Sequence, residues 1–200
     1  MALVRNKVIE EKKAQEAAKT VTYDQSESVR LVKRAVGGDF EAFGELYNIY
    51  LDRIYRYVFY QVRDKMTAED VSEEVFLKAW KAIKSCKGKE QTFSSWLYRI
   101  AHNQVIDNLR SQRKYLSTEM ETSAEVNGPE LEAEGKQERQ EMLETISCLP
   151  QNQKQVIILK FIEGLDNQEI GKIMGKSQGA IRVLQMRALA TLRQRLSREK

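Results

Sequence analysis

The sequence predicts an all-α protein: two small helical domains, an N-terminal four-helix unit and a C-terminal helix-turn-helix unit, joined by an acidic flexible linker. Three observations lead there. Only 2 prolines and 10 glycines interrupt 200 residues, while 31% of the residues are charged and Glu, Lys, Leu and Ala recur in long stretches, a balance that favours helices over strands. Apolar residues repeat at three- and four-residue spacing, the period of a helix with one buried face. Charge is also segregated along the chain. From Ser117 to Glu144 nine acids face two bases, a net of −7, whereas from Gly171 to Lys200 eight bases face one acid, a net of +7. The two tracts nearly cancel within an overall charge of +4, which by itself is too small to indicate nucleic-acid binding.

In the front half, Val29 to Val36 reads as a short helix stopped by Gly37-Gly38, with Asp39 placed to cap the next. That next helix, about Phe40 to Val62, gathers Phe40, Phe43, Leu46, Tyr47, Tyr50, Ile54 and Tyr57 on one stripe, which reads as core. Thr67 is placed to cap a third helix that turns Val71, Val75, Ala79 and Ile83 inward, and the polar stretch Ser85–Gln91 ends it. A fourth helix, about Phe93 to Arg113, buries Leu97, Ile100, Ala101 and Val105. The run STEMETSAEVNGPELEAEG that follows has few large apolar residues and an Asn-Gly-Pro break. It cannot bury enough surface to offset its ordering entropy and reads as a linker.

Beyond the linker a helix from about Gln137 leads to Leu149-Pro150, and proline suits the first turn of a helix over Gln151 to Glu163 that ends at Gly164. Asp166-x-x-Glu169 has the form of a capping box opening a short helix that stops at Gly175, and Ser177 caps a last helix reaching about Arg198. A short capped helix, a glycine turn and a longer basic helix make the layout of a DNA-reading helix-turn-helix. Ile170, Ile173 and Met174 are spaced to pack against Ile181, Leu184 and Leu192, which leaves Gln178, Arg182, Gln185, Met186 and Arg187 to face a major groove. Backbone amides at the Ser177 end favour phosphate, and Arg or Gln side chains suit the edges of guanine or adenine. A solvated helical hairpin would share the helices but not the caps, turn and charge together.

Other classes lack support in the residues. No Ser/His/Asp set, glycine-rich phosphate loop or metal-ligand cluster is present, so no catalytic residue, metal or cofactor is expected. Cys86 and Cys148 form no Cys-x-x-Cys pair and are expected to be ordinary thiols. No window offers the roughly 18 apolar residues of a membrane span. The run MALVRNKVIEEKKAQEAAK is charged where a signal peptide is apolar, which predicts a cytoplasmic protein with no membrane insertion.

The stretch from Leu149 to Leu196, LPQNQKQVIILKFIEGLDNQEIGKIMGKSQGAIRVLQMRALATLRQRL, resembles the fourth conserved region of bacterial sigma factors, particularly the extracytoplasmic-function (ECF) subgroup. Independently, MTAEDVSEEVFLKAW resembles that subgroup's polymerase-binding helix and FSSWLYRIAHNQVIDNLR its promoter-melting helix. The resemblance implies a transcription initiation factor with core RNA polymerase and promoter DNA, both duplex and melted, as partners. It divides the chain into an N-terminal extension (1–25), sigma domain two (26–114), the acidic linker (115–136) and sigma domain four (137–200). It leaves open whether an anti-sigma factor holds the two domains closed. The alternative is a stand-alone helix-turn-helix regulator, which rests on the C-terminal half alone.

By position, the resemblance implies polymerase docking through Glu69, Asp70, Glu73, Glu74 and Phe76, although these acids also suit the first turns of any helix. It implies contact with the minus-ten element through Lys87, Lys89, Phe93, Trp96, Arg99, Asn103, Asp107 and Arg110, with Asp107 orienting Arg110. Trp80 and Trp96 also read as core, and His102 as an exposed DNA-proximal or structural residue. The minus-thirty-five element falls to Ser177, Gln178, Arg182, Gln185, Met186 and Arg187. The recognition turn reads SQGAIRVLQMRA where the family more often shows a Thr-Val-Lys-Ser pattern, which leaves the promoter preference open.

Overall fold

A computed structural model describes residues 25–116 and 143–198. The N-terminal extension, most of the acidic linker and the expected start of a helix near Gln137 lie outside the described residues. Within them the chain is helical throughout: α1 (Gln25–Val36), α2 (Phe40–Val62), α3 (Lys65–Ala82) and α4 (Phe93–Leu116) make the front half, and α5 (Gln151–Ile157), α6 (Asn167–Met174) and α7 (Gln178–Arg198) the back half. A helical stretch over 143–147 precedes α5.

The front half is held by the apolar stripe of α2. Phe43, Leu46, Tyr50, Ile54 and Tyr57 are buried against Leu31, Val32 and Ala35 of α1, Val71, Val75 and Ala79 of α3, and Leu97, Ala101 and Val105 of α4. Each fully buried side chain of this kind contributes roughly 1.5–3 kcal/mol. Asp39 caps α2 as expected, accepting from the Ala42 amide at 3.1 Å, and also accepts from Arg34 Nε at 2.8 Å. The cap of α3 is Asp64, not Thr67: its carboxylate accepts both the amide (2.8 Å) and the hydroxyl (2.6 Å) of Thr67. Asp64 wins because Arg63 ends α2 in the left-handed conformation, φ 64°, which turns the chain one residue ahead of it. Between α3 and α4 the polar stretch forms two short 3-10 turns, Ile83–Cys86 and Glu90–Thr92.

In the back half, Pro150 sits just ahead of α5 and not within its first turn, and its carbonyl accepts from Gln153 (2.9 Å) and Lys154 (3.0 Å). The expected single helix from Gln151 to Glu163 is instead α5 passing into a π turn over Ile158–Ile162, closed by a bond from the Glu163 amide to the Ile158 carbonyl at 3.0 Å. The two halves touch: α4 packs along α6, and α2 meets the π turn.

Candidate functional site

The helix-turn-helix is assembled from local chemistry. Asp166 Oδ1 accepts from the amides of Gln168 (2.7 Å) and Glu169 (2.8 Å), while Glu169 Oε2 accepts from the Asp166 amide (2.8 Å), completing the capping box that opens α6. Gly175 ends α6 in the left-handed conformation, φ 63°, where a side chain is strained. The chain then turns so tightly that the Lys176 amide bonds the Gly171 carbonyl at 2.9 Å. A Cβ on Gly171 would lie 2.7 Å from the Lys176 carbonyl oxygen. Ser177 Oγ accepts from the Ala180 amide at 3.2 Å and caps α7.

Ile181 is fully buried, and Leu184 and Leu192 pack against the core that holds Ile170, Ile173 and Met174. Opposite them Ser177, Gln178, Arg182 and Met186 are exposed and Gln185 is half-buried. At about 100° per residue, Gln178, Arg182, Gln185 and Met186 fall on one flank. Arg187 is exposed too, but it lies five residues beyond Arg182, about 140° around the helix, and cannot enter the same groove.

On the front half, Lys87 and Lys89 are exposed in the loop ahead of α4, where the Gly88 amide (φ 74°) donates to Glu90 Oε1 at 3.0 Å. Hydrogen bonds from the Glu90 and Gly88 amides lower the Glu90 pKa. Phe93 is only 2% exposed, with its ring 5.4 Å from Tyr50 and 5.6 Å from Trp96. It anchors the loop to the core and offers no face to a base, which corrects its assignment to DNA. Trp96 is half-buried, whereas Arg99, Asn103, Asp107 and Arg110 are exposed. Arg110 Nη1 lies 3.8 Å from Asp107 Oδ1. His102 is not exposed: it is half-buried, and burial, with a smaller contribution from Lys176, lowers its pKa.

Glu69, Asp70, Glu73 and Glu74 are exposed along α3, with Glu74 paired to Lys78 at 3.2 Å. Phe76 is buried, its ring 4.7 Å from that of Tyr47. It lines a groove of about 440 Å³ between α2 and α3, together with Phe40, Phe43, Tyr47, Glu73, Leu77 and Trp80. Phe40 is 70% exposed and Leu77 53%, so Phe40, read as core from its spacing, belongs to a surface. Trp80 is half-buried, holding Phe40 and Phe43 at ring distances of 5.5 and 4.9 Å.

The family model for Sigma-70 region 2 matches residues 46–115, and that for Sigma-70 region 4 matches residues 139–192. The chain is 31% identical over 177 residues to the ECF RNA polymerase sigma factor SigW of Bacillus subtilis, covering 82% of this chain and 94% of that one. The chain is an ECF sigma factor. It is also 38% identical over 173 residues to the ECF sigma factor BldN of Streptomyces coelicolor, covering 84% of this sigma factor and 66% of BldN. Its fold is shared with CnrH, solved with the cytosolic domain of CnrY (TM-score 0.66, 22% identity, 87% of this chain and 99% of that one). RpoE of Bartonella quintana, solved with the anti-sigma factor NepR, is as similar (TM-score 0.66, 20% identity, 79% and 98%). As a sigma factor the protein binds core RNA polymerase and directs promoter-specific initiation. No helix among the described residues is long and apolar enough to cross a membrane.

Two features of this sigma factor escaped the sequence. The groove was masked because the period that marks a core stripe also marks one continuing past the end of its core. The other is Glu163, whose side chain is fully covered. Arg56 donates to it through Nε (2.9 Å) and Nη2 (3.1 Å), the Tyr98 hydroxyl donates at 2.5 Å, and Arg53 Nε lies 3.7 Å away. Burial first, then the Glu163 charge, pushes the Tyr98 phenol well above its ordinary pKa. No local pattern marks Glu163, because its arginine partners lie more than 100 residues earlier in the chain.

Proposed function

We propose that the three surfaces divide the work of initiation between them. The α2–α3 groove, lined by Glu73 and Phe76, docks on core polymerase together with Glu69, Asp70 and Glu74, exposed along the same helix. Its exposed apolar residues supply the burial and its acids steer the approach. The surface of Lys87, Lys89, Trp96, Arg99, Asn103, Asp107 and Arg110 takes the melted minus-ten strand, where cations and one aromatic edge compensate bases for lost stacking. The α7 flank of Ser177, Gln178, Arg182, Gln185 and Met186 reads the minus-thirty-five duplex. The protein acts in the cytoplasm, without catalytic chemistry of its own, and an anti-sigma factor is among its partners, a reading supported by the complexes in which CnrH and RpoE were solved.

The observation that carries this reading is the groove. A stand-alone helix-turn-helix regulator has no use for an exposed apolar cleft, with acids along one of its helices, in a separate front half. Run-off transcription with core polymerase is the test: the wild-type chain should initiate at selected promoters, and Leu77→Asp, which places a charge on the groove wall, should abolish co-purification with core while leaving helix content unchanged. Initiation at wild-type level by Leu77→Asp would overturn the docking assignment.

A further inference from the structure

Polar contacts between the halves gather along a seam among the described residues. Around the Glu163 cluster, Arg53 Nη2 donates to the Glu163 carbonyl at 3.3 Å, Lys154 Nζ to the Gln61 carbonyl at 3.0 Å and Gln151 Nε2 to Gln61 Oε1 at 2.9 Å. Farther along α4, Ser95 Oγ donates to Glu169 Oε1 at 3.5 Å. Resting on the sigma-factor reading, we propose that Glu163 is an intramolecular latch: in the free protein it clamps the minus-thirty-five-reading half against the promoter-melting helix, and engagement of polymerase and promoter requires its release.

Geometry makes the closed form incompatible with promoter engagement. By their names the two promoter elements lie about 25 base pairs apart, which at 3.4 Å per step is about 85 Å of duplex. In the closed form α6, the first helix of the reader, lies directly on α4, the melting helix. The two DNA surfaces therefore cannot meet both elements until the halves part. The segment joining them, residues 117–142, has a contour of up to about 90 Å, so its length does not forbid that separation. The closed form also crowds the reader itself. Lys176, immediately before the Ser177 cap, is close enough to His102 of α4 to act on its pKa, so the phosphate-facing end of α7 sits beside α4.

The chemistry of the seam suits reversible closure. A carboxylate shared by two guanidinium groups and a phenol is satisfied while covered, and each of these groups is hydrated again when the halves part. Removing one partner alone leaves the others covered and unpaired, which is the costly outcome. His102 Nδ1 and Gln61 Nε2 are covered without a hydrogen-bond partner, so closure leaves polar groups that opening would satisfy.

The experiment uses the full chain free in solution. Small-angle scattering of the wild type should give a compact particle, and Glu163→Gln and the double variant Arg53→Ala/Arg56→Ala, which act from opposite halves, should each give a larger radius of gyration with unchanged circular dichroism. If the open form is about a tenth of the wild-type population, both variants should bind free minus-thirty-five duplex roughly tenfold more tightly. An extended wild type, variants as compact as the wild type, or opening without a gain in duplex affinity would each overturn the latch. Should one variant lose helix content the other decides, and the wild-type scattering decides alone if both do. Run-off transcription reads the sigma assignment separately: opening and tighter duplex binding without initiation would leave the latch standing and count against the polymerase reading.

Discussion

Gly171 offers a sharp test of how the helix-turn-helix is built. A methyl group there would sit 2.7 Å from the Lys176 carbonyl oxygen, about 0.6 Å inside the shortest ordinary carbon–oxygen contact of about 3.3 Å. The obstacle is backbone, and it is pinned by the 2.9 Å bond from the Lys176 amide to the Gly171 carbonyl, so relief must come from opening the turn. Overpacking of this size costs about 1–3 kcal/mol. In a domain of 60–100 residues each kcal/mol moves Tm by about 4–8 °C, so Gly171→Ala should lower the melting temperature of the back half by roughly 5–20 °C. Gly179 is the control. A methyl there meets only Ser177 Oγ, at 4.0 Å, and Gly179 lies within α7. Alanine should therefore stabilise by about 0.5–1 kcal/mol. Thermal unfolding of both variants at 222 nm checks the pair, with anisotropy of a labelled minus-thirty-five duplex measured below both transitions. If Gly171→Ala melts at or above the wild type, or if both variants shift in the same direction, the close-approach argument fails.

Further expectations follow from the other surfaces. Arg182→Ala should weaken binding to the cognate minus-thirty-five element by about 1–3 kcal/mol and relax preference at one base pair; equal loss on every sequence would make Arg182 a phosphate contact. Asn103→Ala should co-purify with core polymerase like the wild type but open promoters poorly, and permanganate footprints as strong as the wild type's would refute its assignment. Burial, with a smaller contribution from Arg63, lowers the Lys154 pKa from 10.5 to about 8. The folded state thus binds fewer protons between those values, so stability should rise with pH through that window, by roughly 3 kcal/mol in all, and be lost again on return through pH 8. Urea unfolding at pH 7.5 and pH 10 should show that rise in the wild type and a smaller one in Lys154→Met.

What the sequence disclosed is what local chemistry decides. Asp39, Asp166 and Ser177 cap because each is a short polar side chain just ahead of an apolar repeat, and Gly175 ends α6 because little else tolerates a left-handed residue there. Where two local signals compete, the outcome depends on neighbours: Asp64 and Thr67 are both cap-type residues, and the left-handed Arg63 decides between them. Periodicity assigns a face but not its covering, so Phe40 and Tyr50 look alike in sequence although one lines an open groove and the other is core. The same limit explains Phe93, which a resemblance by position places at DNA and packing places in the core. Glu163 lay beyond any such signal, since its environment is made by α2 and α4 and not by its own helix.

The contacts between the halves are of two kinds. The buried apolar residues of both halves form one continuous cluster, with α4 packed along α6. The polar contacts left for the seam come from arginine, glutamate, lysine, glutamine, serine and tyrosine. Parting the apolar part costs about 25 cal/mol for every Å² exposed, whereas parting the polar part exchanges its ion pairs for water. Opening therefore needs the binding energy of a partner, and polymerase can supply it from the groove face, where Phe40 and Leu77 lie exposed away from the Glu163 contacts. The Glu163 cluster adds to that apolar contact the part of the closure that water can replace.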